Sequence, residues 1–260
     1  MPKNNLRFCA NISMLFSEIP FSERFAAAKA AKFDAIEIQF PYEIDLPVLL
    51  DLQTTNKLNI TLINISADDL LAGGEGLASV PSKKARFDEA LTECLHYAQH
   101  LNVECVNVLP GRCLDHTLKN DYLTTFKHNL KKAADVLHSI NVKCTFEAIN
   151  NIDMPDFLIT TPEQMMAIID ELQHPNLFMQ YDIYHMTKME RDVCADIKRY
   201  HPYIGHIQFA DCPGRHEPGT GKIDFQAIFE SIKSSGYNGW IGAEYMPSKK
   251  TEATLAWFNS

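Results

Sequence analysis

Four side chains in the second half of the chain bring an oxygen donor to the end of a short apolar run. Glu147 closes Lys143-Cys144-Thr145-Phe146-Glu147, and Asp182 closes Leu177-Phe178-Met179-Gln180-Tyr181-Asp182. Gln208 stands in Ile204-Gly205-His206-Ile207-Gln208-Phe209, and Glu244 closes Trp240-Ile241-Gly242-Ala243-Glu244. Three carboxylates gathered in a partly buried place repel one another unless a cation neutralises them. The donors are carboxylates and a carboxamide, with no thiolate and no obligatory imidazole, so the set favours a hard divalent ion, Mg2+ or Mn2+, over structural zinc. His185 follows Asp182 by three residues and is expected in the loop after that run, within reach of whatever the metal holds, so it reads as a substrate contact. Arg215, in Arg215-His216-Glu217-Pro218-Gly219, can clamp a carboxylate or hydroxyl of the substrate. His206 shares the face of Gln208 one layer deeper, where a supporting hydrogen-bonding role fits. His96, His100, His128 and His138 fall on helical stretches and read as surface residues. Serine-triad chemistry has no support, because no Gly-x-Ser-x-Gly elbow occurs, and Gly219-Thr220-Gly221-Lys222 lacks the spacing of a phosphate loop.

These residues need a scaffold that delivers them to one place. Short β-type runs begin near Phe8, Ala35, Ile60, Cys105, Cys144, Leu177, Ile204 and Trp240, and amphipathic stretches lie between them. Helices are predicted over residues 21–31, 82–100, 122–140, 162–172 and 225–234. Thr161 before Pro162 marks one helix start, and Asp224 caps a helix that runs to Gly236. Eight βα units in one unbroken domain, residues 1–260, have the dimensions of a (β/α)8 TIM barrel, with a doubly wound sheet as the second choice. A barrel places its active site at the carboxyl ends of the strands, where Glu147, Asp182, Gln208 and Glu244 would meet at matching depth. The longest stretch without periodicity, residues 66–81, carries Gly73, Gly74 and Gly76 and reads as a functional or mobile loop.

The 260 residues hold 33 acidic and 24 basic side chains, a net charge of −9. That field repels nucleic acid and anionic lipid, yet one local cation suffices for a small anionic substrate. No segment reaches the roughly 20 apolar residues that cross a bilayer, and residues 1–6 lack the apolar stretch of a secretion signal, so a cytoplasmic protein is expected. Seven cysteines, an odd number without a Cys-x-x-Cys pair, read as reduced and mostly buried thiols. Self-association into a homo-oligomer is compatible with all of this and specified by none of it.

The chain resembles the hydroxypyruvate isomerase family, within the wider group of xylose isomerase-like barrels, along nearly its whole length. The resemblance is carried by Asn11-Ile12-Ser13-Met14-Leu15-Phe16, Phe40-Pro41-Tyr42, Glu147-Ala148-Ile149-Asn150 and Gln180-Tyr181-Asp182-Ile183-Tyr184-His185-Met186. It continues through His206-Ile207-Gln208-Phe209-Ala210-Asp211, Arg215-His216-Glu217-Pro218-Gly219 and Tyr237-Asn238-Gly239-Trp240-Ile241-Gly242-Ala243-Glu244-Tyr245. The resemblance implies a metal held by Glu147, Asp182, Gln208 and Glu244, with Glu147 and Glu244 also the proton-transfer pair. It further implies substrate contacts from His185, Arg215 and Asn64. Related ketose epimerases carry histidine in place of Gln208. Some members of the family have a His-Asn pair and a Gly-Glu-Arg-Gly run after the third strand, where this chain reads Ile63-Asn64 and Gly73-Gly74-Glu75-Gly76 and so lacks one cation. The implied reaction interconverts hydroxypyruvate and 2-hydroxy-3-oxopropanoate (tartronate semialdehyde) through an enediolate, in carbohydrate and glyoxylate metabolism. A 2-oxo-tetronate isomerase or a ketose 3-epimerase would use the same scaffold. Endonuclease-IV-like DNA hydrolysis, which shares the broader barrel, calls for a histidine-rich metal cluster and a basic face that this chain does not offer.

Overall fold

The computed structural model describes residues 6–258; residues 1–5, read above for a secretion signal, lie outside them. Eight strands form a closed barrel in chain order: β1 (Arg7–Asn11), β2 (Ala35–Ile38), β3 (Asn59–Asn64), β4 (Cys105–Val108), β5 (Lys143–Glu147), β6 (Leu177–Asp182), β7 (Ile204–Phe209) and β8 (Trp240–Ala243). Every neighbouring pair is parallel, and β8 returns to β1 with Arg7 opposite Trp240 and Ala10 opposite Ala243. The crossovers carry α1 (Phe21–Ala30), α2 (Leu46–Asn56), α3 (Lys84–Leu101), α4 (Lys119–Ser139), α5 (Pro162–Leu172), α6 (Ile183–Lys188), α7 (Val193–Tyr200) and α8 (Phe225–Ser235).

The capping signals act as the sequence predicts. Thr161 accepts from the Gln164 backbone N–H at 3.3 Å, and the Gln164 side chain accepts from the Thr161 N–H at 3.2 Å, which satisfies two donors at the start of α5. Asp224 accepts from Ala227 N–H at 3.0 Å, and Gly236 ends α8 at φ +83°, a conformation that costs glycine little. Two of the predicted helix starts shift. Residues 81–83 form a 3-10 turn, so α3 begins at Lys84, whereas Asp115 caps a 3-10 turn that leads α4 in at Lys119.

The expected eight strand–helix pairs are uneven. β6 is followed by both α6 and α7, and β8 by no α-helix among the described residues, only a 3-10 turn at Thr251–Thr254. Aromatic side chains cover the surface where a last helix would pack. The Trp257 ring lies 5.4 Å from Phe8 and 5.0 Å from Phe209, and Phe258 stacks on Phe33 at 4.3 Å. Such pairs supply large apolar burial from few residues.

The loop over residues 66–81 folds a 3-10 turn, Leu70–Ala72, over the barrel mouth. Leu70 is buried with Ala67, Ile149 and Phe157, while Leu71 stays 69% exposed. All seven cysteines are free, five of them buried, and the four helical histidines are exposed.

Candidate active site

Strand pairing sets Glu147 opposite Gln180, Asp182 opposite Gln208, and Gln208 opposite Gly242. From β5 to β8 the strand-end oxygens therefore climb two residues at β6 and two more at Glu244. Strands tilted about 36° in a barrel need about this stagger for side chains to stand at one height. Glu147, Glu244, His185, Arg215 and Asn64 line one cavity at the barrel mouth. Asp182 and Gln208 are buried against those residues. Asp182 Oδ2 is 3.6 Å from His185 Nε2 and 3.9 Å from Arg215 Nη2, and Gln208 bonds Glu244. All seven residues singled out in the sequence converge on one mouth.

A network of amides holds them. Glu244 Oε1 accepts from Asn11 Nδ2 at 2.9 Å, Gln39 Nε2 at 2.9 Å and Gln208 Nε2 at 3.3 Å, and Glu244 Oε2 accepts from Arg215 Nη2 at 2.8 Å. Glu147 Oε2 accepts from Gln180 Nε2 at 3.1 Å and Asn107 Nδ2 at 3.3 Å. Below this layer lies a buried charge that sequence reasoning passed over. Glu37 Oε1 accepts from His206 Nε2 at 2.5 Å and from the Cys9 thiol at 3.3 Å; Glu37 Oε2 accepts from Gln208 Nε2 at 2.7 Å and Asn11 Nδ2 at 3.1 Å. Asn11 and Gln208 thus bridge two carboxylates. Because both carboxylates only accept, the NH2 of Gln208 must face them, and its carbonyl oxygen is turned toward Gln180, which donates to it at 2.7 Å. The supporting role expected of His206 is what the geometry gives.

Burial is the largest influence on both glutamates. It pushes Glu147 well above the usual carboxylate range, with Asp182 and Glu244 adding to the rise. Glu244 is raised to about 7 by burial, partly offset by Arg215. Burial also draws His185 down to about 4, which leaves its ring neutral near pH 7. Glu37 ends below its ordinary value, because His206 and the hydrogen bonds outweigh the burial that opposes its charge.

Two groups of side chains among the described residues have metal-ligating types within reach of one another. Glu147, Asp182 and His185 place ligand atoms within 4.8 Å, as do Cys9, Glu37 and His206. The second group is already consumed by its own hydrogen bonds. At the mouth, by contrast, Asp182 Oδ2 is a buried carboxylate oxygen without a hydrogen-bond partner. Three crowded carboxylates and an unsatisfied one among them fit a divalent cation. Buried carbonyl oxygens of Gln180 and Asn64, both on the cavity wall, also lack donors, and so can accept from a hydroxyl-bearing ligand.

Arg215 takes its place at a backbone cost. Its φ is +55°, in the left-handed region, and the turn that imposes it is organised by Asp211. The Asp211 carboxylate accepts from the backbone N–H groups of Cys212, Gly219, Gly221 and Ile223, and its carbonyl accepts from Arg215 N–H at 2.9 Å. Glu37, Gln39, Asn107 and Gln180 carried a usable signal: each is a polar residue inside or directly after an apolar strand run, and Gln180 precedes Asp182 by two, on the same face.

A family model described as xylose isomerase-like TIM barrel matches residues 25–260. Hydroxypyruvate isomerase of Escherichia coli is 39% identical over 254 residues, 98% of each chain. The 2-oxo-tetronate isomerase of Cupriavidus necator is 37% identical over 251 residues, 96% of each chain. A Brucella melitensis crystal structure described as an AP endonuclease, family 2, superposes with a TM-score of 0.94 at 32% identity over 98% of each chain. By sequence over its full length and by its closed barrel, this chain belongs to the hydroxypyruvate isomerase family of xylose isomerase-like TIM barrels, and it is an isomerase.

Proposed function

We propose that the enzyme interconverts hydroxypyruvate and 2-hydroxy-3-oxopropanoate, with Glu147 and Glu244 moving the proton. The observation that carries this reading is the pair of buried glutamates, both raised in pKa, on the wall of one cavity that also holds Arg215 and His185. Moving a carbonyl to the adjacent carbon takes a proton off one carbon, passes through an enediolate, and returns the proton next door. Glu147 receives its amide hydrogen bonds on Oε2, so Oε1 is its proton-carrying atom. Glu244 presents Oε2, the oxygen that Arg215 keeps more acidic. Arg215 binds the substrate carboxylate, and His185 and Asn64 orient the other oxygens. Glu147, Asp182 and Glu244 would hold the divalent metal, Mg2+ or Mn2+, joined by Gln208 once its carbonyl oxygen turns away from Gln180, and the ion would supply Lewis acidity toward the carbonyl and hydroxyl oxygens of the substrate.

A four-carbon 2-oxo-tetronate is the second reading, favoured by the relative of that name. Turnover of hydroxypyruvate, 2-oxo-tetronates and free ketohexoses by the Mg2+- or Mn2+-loaded enzyme decides between them. With the preferred substrate, Glu147→Gln and Glu244→Gln should each lower kcat by about 10²–10⁴-fold while the protein stays folded. Near wild-type turnover in either variant would reject the two-glutamate scheme.

A further inference from the structure

The two ring nitrogens of His185 have different neighbours, and the neighbour of Nδ1 dictates which nitrogen carries the hydrogen. Asn150 lies three residues beyond the end of β5 and is fully buried. Its Oδ1 accepts from the backbone N–H of Asp153 at 2.7 Å and of Ile152 at 3.1 Å. Backbone N–H groups can only donate, so the oxygen must sit at that end. The other end is therefore NH2. It donates to Asp153 Oδ2 at 3.1 Å, an acceptor, and meets His185 Nδ1 at 2.6 Å. The two backbone N–H groups and the carboxylate require the same amide orientation, and that orientation leaves NH2 facing His185. A hydrogen on Nδ1 would point at the amide hydrogen across 2.6 Å, so Nδ1 offers its lone pair and the ring hydrogen belongs on Nε2. The surroundings brace this arrangement: Tyr184 donates its hydroxyl to Asp153 Oδ2 at 2.6 Å, and Lys188 pairs with Asp153 Oδ1 at 3.1 Å. Nε2 lies 3.6 Å from the unpartnered Asp182 Oδ2, and His185 lines the cavity.

We propose that Asn150 is a positioning residue that locks His185 in its Nε2–H tautomer, so that the ring presents an N–H rather than a lone pair to a substrate oxygen. The inference rests on the isomerase reading of the cavity, and it gives that reading a division of labour. A ring fixed as a donor steadies the negative charge that develops on oxygen in the enediolate, and proton removal is left to the glutamates.

The tautomer can be read directly. Protein labelled with 15N-histidine, in Mg2+ near pH 7.5, is examined by two-bond proton–nitrogen correlation, with the His185 ring identified by its loss in His185→Gln. The expected pattern is the Nε2–H form. An Nδ1–H pattern in the wild type overturns the proposal, and this measurement needs no variant of Asn150 to fold. In Asn150→Asp, a carboxylate that can only accept should draw the hydrogen to Nδ1, and kcat should fall at least tenfold. A folded Asn150→Asp that keeps the Nε2–H form, or that reverses it at wild-type turnover, also overturns the proposal. If wild-type enzyme turns over none of the oxo acids or ketoses, the isomerase assignment of substrate fails by that assay, while the spectrum still decides the tautomer.

Discussion

Gln208 and Asn11 each spend one amide on two carboxylates, and that economy leaves no slack at Glu37. The Glu37 carboxylate is fully buried and accepts from four side chains, so its terminal oxygens are as fixed as backbone. Gly242 faces it: a Cβ there would fall 1.8 Å from Glu37 Oε1. Gly242→Ala is therefore expected to displace Glu37, and with it the amides that hold Glu244. Overpacking of this kind costs about 1–3 kcal/mol, measurable by denaturant unfolding, and turnover should fall with it. An alanine variant of wild-type stability would mean that Glu37 can move freely. At this scale the carboxylates at strand ends were legible, because each interrupts an apolar run with the right parity. Glu37 was not, although it breaks the run Ala35-Ile36-Glu37-Ile38, because what gives it meaning is His206 and Gln208, 169 and 171 residues away. Asn150 stood in a motif that was noticed, but its role depends on the chain turning back between residues 150 and 153.

Among the elements, the segment between β7 and α8 is the one whose geometry most directly serves the site. Asp211 gathers four backbone N–H groups from residues 212–223, and Arg215 rides on the turn it creates. Asp211→Ala leaves those donors to find water and frees Arg215 from its left-handed backbone. The expected result is a loss of about 1–3 kcal/mol of stability and a KM for the acid substrate at least tenfold higher, with kcat changed less. Unchanged KM would show that Arg215 is held by Glu244 alone. The eight strands and five of the helices could be found from periodicity and capping residues, with starts within a few residues of the prediction; α2, α6 and α7 were not foreseen, and His185, expected on a loop, lies on the short helix α6. What periodicity did not disclose was the missing helix after β8. Trp257 and Phe258 do its packing with two rings, and a pair of aromatics has no period to detect.

For the whole molecule, the gathered carboxylates make stability depend on pH and, with the proposed metal site, on the ion as well. Glu244 has a folded pKa of about 7 against an ordinary 4.5, so the folded protein binds this proton more tightly than the unfolded chain. Its contribution is complete below about pH 4.5 and is lost as pH rises through about 7; Glu147, raised by the same burial, acts in the same direction. His185, drawn down to about 4, acts in the opposite direction, but only below its unfolded value near 6.5. The melting temperature of metal-free protein should therefore fall by a few degrees between about pH 6.5 and 8. Mg2+ should raise it more at pH 8 than at pH 6, since the ion competes with the protons. A pH-independent effect of Mg2+ on melting would place the ion away from these glutamates.

The closure of β8 onto β1 also bears on when activity can begin during synthesis. Asn11, Glu37 and Gln39 leave the ribosome early, and the carboxylate that Asn11 and Gln39 share, Glu244, follows 233 residues after Asn11. Until that last strand docks, Gln39 lacks its carboxylate acceptor, Asn11 has only Glu37, and the mouth has no second glutamate. On the two-glutamate reading, a nascent chain cannot act on substrate while it is still being made. On that reading, catalytic competence arrives in a single event, when the ring of strands is sealed.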